Sequence, residues 1–144
     1  MVYADTSFLF SLVFHDTNGT RAAAYLKAHP ASLAFTSWQG CELRNAIRLA
    51  VWRGWRSSSD AAKALSFIDE NIRAGNLGET ALVWPELLEI AEEIGAKHTS
   101  SLGIRTLDLM HVAAAISLGA KTFLSFDGRQ LTVAKNCGLR VPKL

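Results

Sequence analysis

Short apolar runs, each followed by a helix-capping residue and then an amphipathic stripe, recur along the chain. Val2 to Ala4 is apolar and leads through Asp5-Thr6-Ser7 into Phe8-Leu9-Phe10-Ser11-Leu12-Val13, which predicts a strand and then a helix. A second helix is expected over Thr20 to His29, stopped by Pro30, and Leu33-Ala34-Phe35-Thr36 reads as a short buried strand. Ser37 is expected to cap a longer helix with Leu43, Ile47, Ala50 and Val51 on its buried face. Ser57-Ser58-Ser59-Asp60 opens another helix that ends near Ala74 and Gly75. Thr80 to Trp84 reads as a strand, and Pro85 begins a helix whose apolar side runs to Gly95. A helix from Thr106 closes at Gly119, Thr122 to Phe126 is strand-like up to Asp127-Gly128, and a last helix covers Gln130 to Asn136. Strands alternating with amphipathic helices predict an α/β fold, a three-layer α/β/α sandwich with a mostly parallel central sheet.

The length of 144 residues and a hydrophobic share of 49% suit one domain over 1–144 with a substantial core. No linker-like or repeated segment divides it. The first residues, Met-Val-Tyr-Ala-Asp, lack the basic start of a signal peptide. The apolar stretches Phe8–Phe14 and Val112–Leu118 fall far short of the roughly 20 residues that span a membrane. The expectation is a soluble, cytoplasmic protein without a membrane partner. Cys41 and Cys137 are distant and have no Cys or His at ligand spacing, so reduced thiols are expected rather than a zinc site.

The chemistry-bearing residues are acidic. In open parallel sheets ligands bind outside the carboxyl ends of the strands, where Asp5 and Asp127 are expected. Glu42 falls early in the helix after the second strand and Asp108 in the first turn of a later helix, where the helix dipole favours a carboxylate. Singly, each has an ordinary structural explanation as a cap, a turn or a solvated helix residue. Together they would repel one another unless a cation offset them. Magnesium or manganese, hard ions that take oxygen ligands, fits such a pocket and suits phosphodiester hydrolysis. The net charge of +2 is bland, but four carboxylates in one pocket would leave nine acidic groups against 15 Lys and Arg elsewhere, a surface that suits a polyanion.

Asp5-Thr6-Ser7, Glu42-Leu43-Arg44-Asn45-Ala46, the segment Arg105 to Ala115 around Asp108, and Phe123 to Leu131 around Asp127 resemble the motifs of the PIN-domain family, and more narrowly its VapC-type toxins. The resemblance covers nearly the whole chain. It implies a divalent-metal-dependent endoribonuclease, often acting on structured RNA, held inactive by a cognate antitoxin and commonly a homodimer. By motif, Asp5 and Asp108 would be the principal ligands of Mg2+ or Mn2+. Glu42 and Asp127 would complete the catalytic pocket, and Thr6, Ser7 and Ser125 would supply hydroxyls beside it. Ser125 stands where the family often has threonine.

Arg105, one turn before Asp108, could hold a carboxylate or contact a substrate phosphate, as could Arg44 and Arg48. His111 is expected to be packed or hydrogen-bonded rather than a proton carrier. Arg44, Arg48, Arg53 and Arg56 interleave with Trp52 and Trp55, a composition that suits either RNA contact or a protein interface. Two other readings stay open. A catalytically silent PIN-like module could bind RNA or protein, and an aspartate phosphotransferase would also place an acid after the first strand. The latter usually has a second aspartate two positions on, where this chain has Ser7.

Overall fold

Alternation along four three-residue strands sends neighbouring side chains to opposite faces of one sheet. The strands are β1 (Val2–Ala4), β2 (Leu33–Phe35), β3 (Leu77–Glu79) and β4 (Thr122–Leu124) in a computed structural model that describes residues 1–144. All pairings are parallel, in the order β3-β2-β1-β4. Tyr3, Ala34 and Phe123 face one core cluster, which α5 (Trp84–Leu102), α6 (Thr106–Ser117) and α7 (Gly128–Asn136) complete. Ala4, Leu33, Phe35 and Leu124 face the other, built with α1 (Thr6–Phe14), α2 (Thr17–Ala28), α3 (Ser37–Trp52) and α4 (Ser58–Arg73). The result is the expected three-layer α/β/α arrangement with a wholly parallel sheet.

The order of the strands decides where a site can form. From β1 the chain winds outward through β2 to β3, then returns to lay β4 on the other side of β1. The crevice between the carboxyl ends of β1 and β4 is therefore the topological switch point, where the loops into α1 and α7 diverge.

Several local boundaries differ from the sequence pattern, among them the starts of α2, at Thr17 rather than Thr20, and of α7, at Gly128 rather than Gln130. The strand expected at Thr80 to Trp84 is displaced to Leu77–Glu79. Thr80 N–H still donates to Phe35 O at 2.9 Å, but β2 ends at Phe35, so residues beyond Thr80 have no ladder partner. Gly95 does not end its helix; α5 continues to Leu102 and stops at Gly103, whose φ of 61° is the left-handed conformation of a helix end. Gly95 instead permits close approach of α6, since a Cβ there would lie 3.2 Å from Leu109 Cδ1. The cap of α3 is Thr36 rather than Ser37, in a reciprocal capping box with Gln39. Finally, β4 ends at Leu124, releasing Ser125 and Phe126 from the ladder. No helix is long and apolar enough to cross a membrane.

Candidate active site at the switch point

Asp5 extends β1 by one residue, its N–H bonded to Leu124 O at 2.9 Å, and its side chain then caps α1 by accepting from Phe8 N–H at 2.9 Å. The carboxylate is 1% exposed. Ser7 Oγ donates to both its oxygens at 2.8 and 2.9 Å, and Ser125 Oγ donates to Oδ2 at 2.8 Å. Burial pushes the Asp5 carboxyl above its ordinary range, although the His111 charge, the Phe8 amide and the two serine hydroxyls all pull the other way. This is a carboxylate that gains from a nearby cation.

Ser125 and Ser7 also tie the β4 loop to β1. Asp127 N–H donates to Ser125 Oγ at 2.9 Å, and Phe126 N–H donates to Ser7 Oγ at 3.1 Å. Asp127 in turn caps α7, accepting from Arg129 N–H at 2.8 Å and Gln130 N–H at 3.1 Å.

Glu42 projects from the second turn of α3. His111, buried on α6, meets it through Nε2 at 2.8 Å, and the Thr6 hydroxyl donates to the same Glu42 oxygen. Burial raises the Glu42 carboxyl, but the hydrogen bond and charge of His111, with the Thr6 hydroxyl, outweigh it and hold the group below its ordinary range. Because the Glu42 carboxylate has no proton to give, His111 donates to it through Nε2, and the Tyr3 hydroxyl lies 3.0 Å from Nδ1 on the other side of the ring. Burial, reinforced by the charges of Asp5 and Glu42, pushes the Tyr3 phenol well above its usual range, so the hydroxyl keeps its proton.

Asp108, in the first turn of α6, accepts from Arg105 Nε at 2.9 Å and from Gln130 Nε2 at 3.1 Å. Its side chain is 14% exposed, against 79% for Arg105, so the guanidinium stands over the carboxylate at the solvent edge. Asp108 also raises the Arg105 guanidinium pKa, through the hydrogen bond first and charge second.

Asp5, Glu42, Asp108 and Asp127 line one open cleft of about 520 Å³, together with Thr6 and Ser7. Arg105, the one basic residue expected beside the quartet that reaches it, lines the same cleft. Arg44 and Arg48 do not; they border a separate depression with Cys41 and Glu79, where Arg44 Nη2 pairs with Asp69 at 2.5 Å. Helical geometry accounts for the difference, since Glu42, Ala46, Leu49 and Arg53 form the stripe of α3 that faces the cleft. Sequence reasoning missed the partnership of Tyr3, His111 and Glu42, and it missed Gln130. Nothing local marks residues 108 or 69 positions apart as partners, and Gln130 reads only as a residue of the last helix.

The donor set is all oxygen, which matches a hard divalent cation. No three acidic or imidazole side chains converge tightly enough to enclose an ion by themselves. Magnesium does not require such a cage, because it keeps several waters and leans on a few carboxylates. Buried Gln130 Oε1 has no hydrogen-bond partner and borders the same cleft, an acceptor suited to a water held by such an ion.

Fold and cleft together define an α/β protein with an acidic site at the carboxyl edge of a parallel sheet. The chain belongs to the PIN-domain family, whose model, described as "PIN domain", matches residues 2–136. Among solved structures, PAE2754 from Pyrobaculum aerophilum is similar, with 19% identity, a TM-score of 0.64, and coverage of 97% of this chain and 82% of that one. FitAcB from Neisseria gonorrhoeae is similar as well, with 16% identity, a TM-score of 0.63, and coverage of 99% and 97%. At these identities the likeness is one of fold. No curated protein sequence matches the chain.

Proposed function

We propose that the protein is a metal-dependent endoribonuclease, the toxin of a toxin–antitoxin pair, that hydrolyses RNA phosphodiester bonds in the four-carboxylate cleft. The observation that carries this reading is the convergence of Asp5, Glu42, Asp108 and Asp127, from four separate segments, on one arginine-rimmed cleft. The same family is generally one of nucleases.

Asp5 and Asp108 would hold Mg2+ or Mn2+, with Asp127 and Glu42 completing the pocket. When bound, the ion would lower the pKa of an attacking water and offset phosphate charge. The protein's own groups would do the rest. Glu42, kept ionised by His111 and Thr6, accepts a hydrogen bond from water and orients it. Ser7 and Ser125 hold the Asp5 carboxylate in one orientation at the end of β1. Arg105, mostly exposed, can turn from Asp108 to a phosphate oxygen. An antitoxin or a second copy would need apolar surface, and Val83, Trp84, Leu88 and Leu107 supply it on α5 and α6.

The test is incubation of the purified protein with total RNA in Mg2+ or Mn2+, beside EDTA and an Asp5→Asn variant. Discrete cleavage lost in both controls supports the reading. Cleavage that survives either control removes the site from the reaction, and no cleavage together with no metal binding favours a silent binding module.

A further inference from the structure

Trp52 closes α3 and Trp55 follows it by three residues, and these are the two most exposed tryptophans of the chain. Trp52 is 81% exposed and Trp55 63% exposed, although burying such a ring is among the largest apolar gains a side chain offers. Between them, Gly54 adopts a φ of 70° with no atom near its Cβ position, and the amides of Trp55 and Arg56 bond back to Ala50 O at 2.9 and 3.3 Å. This turn folds the chain back on the helix end and brings Trp55, but not Trp52, to the wall of the acidic cleft. Arg53 lines the same wall, its guanidinium 4.7 Å from the centre of the Trp55 ring.

We propose that Trp55 is a seat for an unpaired RNA base, with Arg53 supplying charge to the adjoining phosphate, so that the strand enters the cleft from the end of α3. The proposal rests on the nuclease reading and adds to it the ring on which an unpaired base stacks and the side from which the strand enters. An indole face left open beside a phosphodiester-cleaving pocket matches a base released from its stack, and a base inside a duplex cannot reach it. Arg53 favours the same occupant, because a guanidinium already stacked on the indole raises the attraction for a polyanion at the point where the ring is open. Trp52, lacking both the cleft and an arginine stacked on it, is the internal control.

The test is fluorescence anisotropy in EDTA with a labelled single-stranded RNA of about ten nucleotides and its blunt duplex, against the full-length wild type, Trp55→Ala, Trp55→Phe and Trp52→Ala. Trp55→Ala is expected to weaken single-strand binding about tenfold, a loss typical of one stacked base, while Trp55→Phe keeps most of the affinity. Trp52→Ala is expected to bind as wild type, and duplex binding to be insensitive to residue 55. Single-strand binding unchanged in Trp55→Ala, or lost equally for single strand and duplex, overturns the base seat. So does a Trp55→Ala protein whose mass by light scattering falls to half that of wild type with RNA affinity intact, which would assign the ring to an interface between copies. A wild type with no affinity for either RNA would overturn the base seat, while the metal-dependent nuclease reading stands or falls on the cleavage assay above.

Discussion

The pairing of Glu42 with His111 separates stability from chemistry and can be tested on either. Glu42→Ala removes the acceptor from a buried imidazole N–H that Glu42 now meets at 2.8 Å. The Thr6 hydroxyl stands 3.5 Å from the same Nε2, too far to replace it without movement. Leaving a buried donor unsatisfied costs about 1–3 kcal/mol. In a chain of this size each kcal/mol moves Tm by about 3–4 °C, so Glu42→Ala should melt roughly 3–12 °C below wild type. Glu42→Gln retains an acceptor oxygen and should lose less than about 1 kcal/mol, yet both variants should lose RNA cleavage. Acidification adds a second check. The folded Glu42 pKa lies below its unfolded value, so its ionised form stabilises the protein above the unfolded pKa, and that contribution disappears as pH falls through the folded one. The stability gap between wild type and Glu42→Gln, from urea melts between about pH 7 and pH 3, should therefore close on the acid side. A Glu42→Ala protein that melts with wild type, or a gap that widens on acidification, would refute the paired role.

Asp5 has the opposite sign. Its folded pKa is raised, so its charge destabilises the fold above that pKa, and the penalty vanishes as pH falls below the unfolded value. Asp5→Asn, free of metal, should melt at or above wild type at neutral pH, with the difference closing in acid and cleavage lost; a lower Tm at neutral pH contradicts this. Gly19→Ala should cost about 1–3 kcal/mol or more in a urea melt, because the new Cβ would lie 2.1 Å from the backbone oxygen of Ser11. Arg44→Ala removes an exposed ion pair with Asp69 and should change stability by at most about 1 kcal/mol and leave the rate of RNA cleavage unaltered, as a cleavage time course would show.

The features legible in the sequence are those set by short-range physics. An apolar triplet followed by a capping acid marks both the end of β1 and the cap of α1 at Asp5, because one residue performs both tasks. Asp127 caps α7 three residues past the end of β4, so two of the four cleft carboxylates could be placed from a strand followed by a helix cap. Features that depend on a distant partner were not legible. Thr80 to Trp84 has strand composition, but pairing length is set by β2, which ends at Phe35. Gly95 carries the composition of a helix stop and instead serves the contact with α6, a choice made by Leu109 on another element. Arg44 and Arg48 are near Glu42 in sequence, yet lie on another stripe of α3. The hold of His111 on Glu42 joins helices on opposite sides of the sheet, and only the finished fold brings them together.

The most direct test of the account is a Mn2+ titration of the purified protein, followed by electron paramagnetic resonance of the free ion, for wild type and for Asp5→Asn and Asp108→Asn. The account predicts at least one bound ion per chain in wild type and an affinity about tenfold or more weaker in each variant, the loss expected when a ligand or a close partner of a metal site is removed. Wild-type protein that binds no Mn2+, or variants that bind it as wild type does, would contradict the claim that the four carboxylates form a metal site.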